Sequence, residues 1–231
     1  MSLGRFPNCN QPGMNNFRRH GVEDEFDLDH APVLHREDIL HKRGAFSCLC
    51  DPDRKYLFDQ SLLLMIQEAD FKIIAVALDK HTHKQATYRK LRHPYHYCLL
   101  AMLERYCGLL GRTNSTGDVM AEARGASEDM LLKSVYSDLW DKGKMYLKAD
   151  VCQRTLTSKE LKVKPKRANI AGLQLSDLLA HPLTRDVLHA YGRALAPTGE
   201  FTTLVCGVAK EKYNRQIYQG RINGYGRIIL S

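Results

Sequence analysis

The stretch GLQLSDLLAHP, Gly172 to Pro182, decides how the rest of the chain is read. At about 100° per residue it winds into a helix on which Gln174, Asp177 and His181 share one narrow stripe. Ile170 and Leu173 flank that stripe, while Leu175, Leu178 and Leu179 take another side. Burying an unpaired charge costs several kcal/mol, roughly, so a carboxylate among leucines needs a partner, a proton or a cation. Two readings stand for Asp177. Either a neighbouring lysine or backbone donors satisfy it structurally, or it forms part of a ligand site.

Working outward, the preceding run SKELKVKPKR gathers Lys159, Lys162, Lys164, Lys166 and Arg167, much of a formal net charge of +8. Such a run suits a polyanionic partner, because Lys and Arg contacts to phosphate dominate nucleic-acid affinity. It equally suits a solvated basic surface.

The flanking segments give an α/β pattern. RKYLFDQSLLLMIQEAD, from Arg54 to Asp70, carries apolar residues at Tyr56, Leu57, Leu63, Leu64 and Ile66, which predicts an amphipathic helix. FKIIAVALDK reads as a core strand ending at Asp79. A long helix is expected over PYHYCLLAMLERYCGLLGR, with Pro94 in the first turn and Leu99, Met102, Leu103, Tyr106 and Leu110 facing the core. GDVMAEARG predicts a short strand and a turn at Gly125. SEDMLLKSVYSDLWDKG predicts a helix between an N-cap at Ser127 and a stop at Gly143. A short strand followed by a turn or helix is expected in APVLHREDILHKRGAF, a strand and loop in LKVKPKRANIAG, a helix over about Arg185 to Leu195, and a final strand in GYGRIILS. With no internal repeat, residues 33–231 read as a single domain behind an irregular segment, 1–32.

Composition excludes some classes. With 231 residues and 44% hydrophobic content the chain can fill a core. Its densest apolar run, Ile73 to Leu78, falls far short of the roughly 18 residues of a membrane span, and MSLGRFPNCNQPG lacks a secretory hydrophobic segment. Seven cysteines, an odd number scattered through apolar segments, suit free thiols and a cytoplasmic setting. There is no Gly-rich phosphate loop, serine-nucleophile elbow or Cys-His dyad. His35, His41, Cys48 and Cys50 lie close together but lack the paired spacing of a structural zinc site.

Two further acids lie where strands are expected to end: Glu122 in MAEARG and Asp79 in VALDK. Strand ends are the usual ligand positions of α/β sheets. Carboxylates converging there repel one another unless a hard divalent cation joins them, and Mg²⁺ or Mn²⁺ binds through one or two carboxylates plus substrate phosphate. A solvated strand-end acid is the bland alternative.

The segments VLHREDI, VALDK, YHYCLLAMLERY, EARGASED, AGLQLSDLLAHP and GYGRIIL occur in that order. In this they resemble the family known as domain of unknown function 3800, over about Val33 to the C-terminus. The resemblance implies a ribonuclease H-like fold, a mixed sheet flanked by helices, and metal-dependent cleavage of DNA or RNA with Mg²⁺ or Mn²⁺. Carried over residue by residue, it implies catalytic Glu122, Asp177 and Asp79, metal at Glu122 and Asp177, and Lys166 and Gln174 beside them as substrate contacts; Arg167 and Arg124 are the further substrate contacts expected nearby. Ser176 stands where the family usually has alanine. The family's opening Asp-Glu-Ser-Gly strand, which carries its first metal-binding acid, has no counterpart in this sequence. The expectation is therefore a domain missing its first strand, or a member that binds nucleic acid or protein without cleaving.

Overall fold

Asp51 and Pro52 fix the start of the first long helix. The Asp51 carboxylate accepts from the N–H groups of Asp53 and Arg54, and Pro52 fits the first helical position, where no donor is needed. The computed structural model describes residues 32–79, 94–144 and 146–230. The acidic run at 22–30 and His81 and His83 lie outside the described residues.

In chain order the elements are α1 (Arg36–Leu40), a 3₁₀ helix (Gly44–Cys50), α2 (Pro52–Glu68), β1 (Ala75–Leu78), α3 (Pro94–Arg112), β2 (Met120–Glu122), α4 (Ala126–Lys142) and α5 (Ala149–Thr155). There follow β3 (Lys162–Lys164), a second 3₁₀ helix (Lys166–Ala168), α6 (Ala171–Ala190), α7 (Glu200–Lys212) and β4 (Arg227–Leu230). The α/β class read from the sequence holds. The described strands form two parallel pairs, β1 with β4 and β2 with β3, and not one continuous mixed sheet. Each strand has three or four residues, and a parallel pair needs a long crossover, here filled by helices.

The β1–β4 pair separates two cores. Strand alternation sends Ile74 and Ile228 to one side, among Leu99, Met102, Leu103, Tyr106 and Leu110 of α3 and Leu132 and Tyr136 of α4. Ile73, just before β1, faces the other side with Phe58, Leu62 and Ile66 of α2, Leu178, Leu179 and Leu183 of α6, and Val205 and Ala209 of α7. Each such aliphatic side chain, fully buried, contributes about 1.5–3 kcal/mol.

Several expectations need correction. In α2 the buried positions are Phe58, Leu62, Leu63 and Ile66, whereas Tyr56 and Leu57 are exposed. The i, i+4 row 58–62–66 meets the core and turns 56 and 57 outward. No strand forms at residues 32–35. Gly125 (φ 135), not Ser127, stands at the α4 N-cap, while Gly143 closes that helix as expected. A Cβ on Gly143 would lie 2.6 Å from both Leu147 O and Ala149 N, and its φ of +62 also favours glycine. Two helices expected around Pro182 are one, α6: Pro182, Leu183 and Val187 are buried, so packing carries the helix past the proline.

Candidate functional site

β2 buries Ala121 and leaves Met120 and Glu122 half-buried, so Glu122 ends the strand on its outer side. Across the ladder Glu122 is in register with Lys164, and the N–H of Ala123 donates to Lys164 O at 2.9 Å. Pro165 then turns the chain into the short 3₁₀ helix, Asn169 takes a left-handed conformation (φ 50), and α6 begins. This tight path brings Lys166 back over the end of β2 and against the second turn of α6.

There Lys166 Nζ lies 3.9 Å from Glu122 Oε1 and 3.5 Å from Asp177 Oδ2. The three side chains are 32%, 35% and 32% exposed for lysine, glutamate and aspartate, which leaves them open to solvent and ligands. Two carboxylates and one ammonium sum to a net negative charge. The arrangement can accept a further cation or, if the carboxylates are neutralised, free the lysine for an anion.

The polar stripe of α6 is real, and its chief occupant is the chain itself. Gln174 Oε1 accepts from the Leu34 N–H at 2.6 Å, and Asp177 Oδ2 accepts from the Arg36 N–H at 3.1 Å. Gln174 also donates through Nε2 to Asn169 Oδ1. His181 continues the stripe beside Arg36, Arg185 and Glu37; burial first, then the two arginines, push its imidazole below the usual histidine range. Gln174 thus holds the chain at Leu34, and Asp177 has both partners of the structural reading, a lysine and a backbone donor.

The remaining expected residues disperse. Arg167 is exposed beside Lys166. Arg124 turns to the junction of α3 and α4: its guanidinium stacks 4.9 Å over the Tyr95 ring and lies 4.0 Å from Glu128, and its N–H donates to Asp129 at 3.0 Å. Asp79 follows β1, its N–H bonded to Leu230 O at 2.8 Å. Among the described residues no three His, Cys, Asp or Glu side chains gather to hold a metal ion, so Asp79 does not complete a three-ligand set with Glu122 and Asp177. His35 and His41 instead pair with Asp38 (2.7 Å) and Glu37 (3.3 Å).

Glu122 and Asp177 still suit a hard divalent ion, since Mg²⁺ and Mn²⁺ bind through one or two carboxylates and complete their shells with water and phosphate oxygens. In this arrangement Lys166 supplies the positive charge between them.

One charged cluster had no signal in the sequence. Asp186, farther along α6, is buried and takes a bidentate pair from Arg227 (Nε to Oδ2 2.7 Å, Nη2 to Oδ1 3.1 Å) and a bond from Tyr213 OH at 2.7 Å. Burial, then the Asp186 charge, push the Tyr213 phenol well above its ordinary range. The partners lie far from Asp186 in sequence, and the sequence pattern puts Asp186 on a separate helix from Asp177, where the structure has one.

No protein-family model matches the chain, and neither does any curated protein or solved structure. Among the described residues no helix is long and apolar enough to cross a membrane.

Proposed function

We propose that the chain is a divalent-metal-dependent phosphodiesterase acting on DNA or RNA, built on a ribonuclease H-like pattern. The observation that carries this reading is the convergence of Glu122, Lys166 and Asp177 from three separate segments onto one partly exposed spot. The motif order that resembles the domain of unknown function 3800 family supports it too.

In this reading Glu122 and Asp177 would hold Mg²⁺ or Mn²⁺. When bound, the ion supplies Lewis-acid stabilisation of a phosphoryl oxygen and a more acidic water. The chain's residues do the rest. The Arg36 N–H and the α6 backbone fix the orientation of the Asp177 carboxylate. Lys166, the counter-ion of the two carboxylates here, would be free to offset the charge of a phosphodiester once an ion took its place.

The test is cleavage of a plasmid in Mn²⁺. Wild type is expected to cut, and Glu122→Gln and Asp177→Asn to lose cutting while remaining folded. Equal cleavage by Asp177→Asn removes the assignment.

A second reading, a non-cleaving nucleic-acid-binding or protein-interaction module, is favoured by one observation: Lys166 already lies between the two carboxylates. Calorimetric titration with Mn²⁺ separates the readings, with binding lost in Asp177→Asn for the enzyme and no binding for the module.

A further inference from the structure

We infer that Lys164 and Arg167 are the backbone-phosphate contacts of a nucleic-acid strand lying along the outer face of the β2–β3 pair. This rests on the nucleic-acid part of the reading above and not on cleavage.

The basic run Lys159–Arg167 looks uniform in sequence, but the fold divides it. Lys159 Nζ is 2.8 Å from Asp141, Lys162 pairs with Asp118, and Lys166 serves Glu122 and Asp177. Burial raises the Asp118 carboxyl, but its bonds with Lys162 and Thr157 outweigh that and hold it below its ordinary range, consistent with a committed pair. Lys164 and Arg167 are exposed and, among the described residues, neither has an anionic partner. They stand on either side of Lys166 in the chain.

Register fixes where Lys164 lies, and Arg167 follows Lys166 in the short 3₁₀ helix. Lys164 opposes Glu122, so their Cα atoms are about 4.8 Å apart, the spacing of neighbouring strands. Ala121 and Val163 turn inward to the core, which sends Glu122, Lys162 and Lys164 to the outer face together. One uncommitted cation thus stands in register with Glu122 and the other next to Lys166 in the chain, beside a site that carries a net negative charge of its own. A ligand with one phosphate would meet that charge. A strand with successive phosphates can set one on Lys164 and another on Arg167, and gains from counterion release at each. Among the described residues none of the large exposed apolar side chains lies in β2, β3 or the 3₁₀ helix that follows, which argues for a nucleic acid over a membrane surface.

The experiment is fluorescence anisotropy with a labelled DNA duplex and a labelled RNA strand, in EDTA and over a range of NaCl. The slope of log affinity against log salt is expected to shrink by about 1.8 on duplex, or about 1.4 on the single strand, in the double variant Lys164→Ala/Arg167→Ala. The equal-charge control Lys159→Ala/Lys162→Ala is expected to leave the slope unchanged. Equal loss in both variants overturns the inference, as does an unchanged slope in the first. So does wild-type protein that binds neither probe, or binds only phosphatidylserine vesicles. Because EDTA removes any need for turnover, binding with this pattern but no cleavage in Mn²⁺ retires the phosphodiesterase and leaves the phosphate contacts standing.

Discussion

Helix α6 carries two aspartates in opposite circumstances. Asp186 and its partner Arg227 have side chains only 8% and 13% exposed, and both carboxylate oxygens are bonded, one of them twice. Asp177 is about a third exposed, and the Arg36 N–H and Lys166 both meet it through Oδ2 alone, the lysine at a loose 3.5 Å. The first is a lock between α6, the end of α7 and β4, since both its oxygens are bonded and it is closed to solvent. The second has spare lone pairs, solvent access and an excess of negative charge in its cluster. Satisfaction separates structure from candidate chemistry here, although the two residues look alike in sequence.

The comparison breaks most readily at the lock. Asp186→Ala strands the largely enclosed Arg227 guanidinium and is expected to cost about 3–5 kcal/mol in urea unfolding; a loss within 1 kcal/mol, roughly, would erase the contrast. Tyr213→Phe keeps the ion pair and removes one bond to a charged group, for about 1.5–3 kcal/mol by the same measurement.

Asp177→Ala sharpens the comparison from the other side. Its ion pair is exposed and long, so stability should change by no more than about 1 kcal/mol, while cleavage in Mn²⁺ disappears. The smallest effect belongs to His181. Its folded-state pKa lies below the ordinary value, through burial and then Arg36 and Arg185, with Glu37 opposing. The unfolded chain therefore binds the proton more readily, so this contribution is complete above the ordinary histidine pKa of about 6.5 and lost as pH falls through the folded value. Melting temperature should drop slightly more for wild type than for His181→Asn across that acid window.

Much of the frame was legible because it rests on local rules. The apolar spacing from Leu99 to Leu110, the β-branched run before Asp79 and the stop at Gly143 each act within a few residues, and each appears as expected. What escaped depends on distance or on packing. Helix α7 (EFTTLVCGVAKEK) mixes threonines, valines and a glycine, all poor helix formers, and is held by burying Val205, Cys206 and Ala209. The stripe of Gln174, Asp177 and His181 could be projected from helical geometry. That it grips the backbone of residues 34 and 36 could not, because main-chain donors leave no trace in residue identity. Nor does the basic run reveal which of its cations are already spent, since Asp118 and Asp141 lie on other segments.

That grip has a spectroscopic consequence. The Arg36 amide proton points at the same oxygen, Asp177 Oδ2, that faces Lys166, and the Leu34 amide two residues earlier is held by Gln174, outside the charged cluster. In a ¹H–¹⁵N spectrum the Arg36 resonance should move when Asp177 changes its charge partner, with Leu34 as the internal reference. The protein thus carries its own label for the state of this carboxylate, readable without a substrate and without altering a residue.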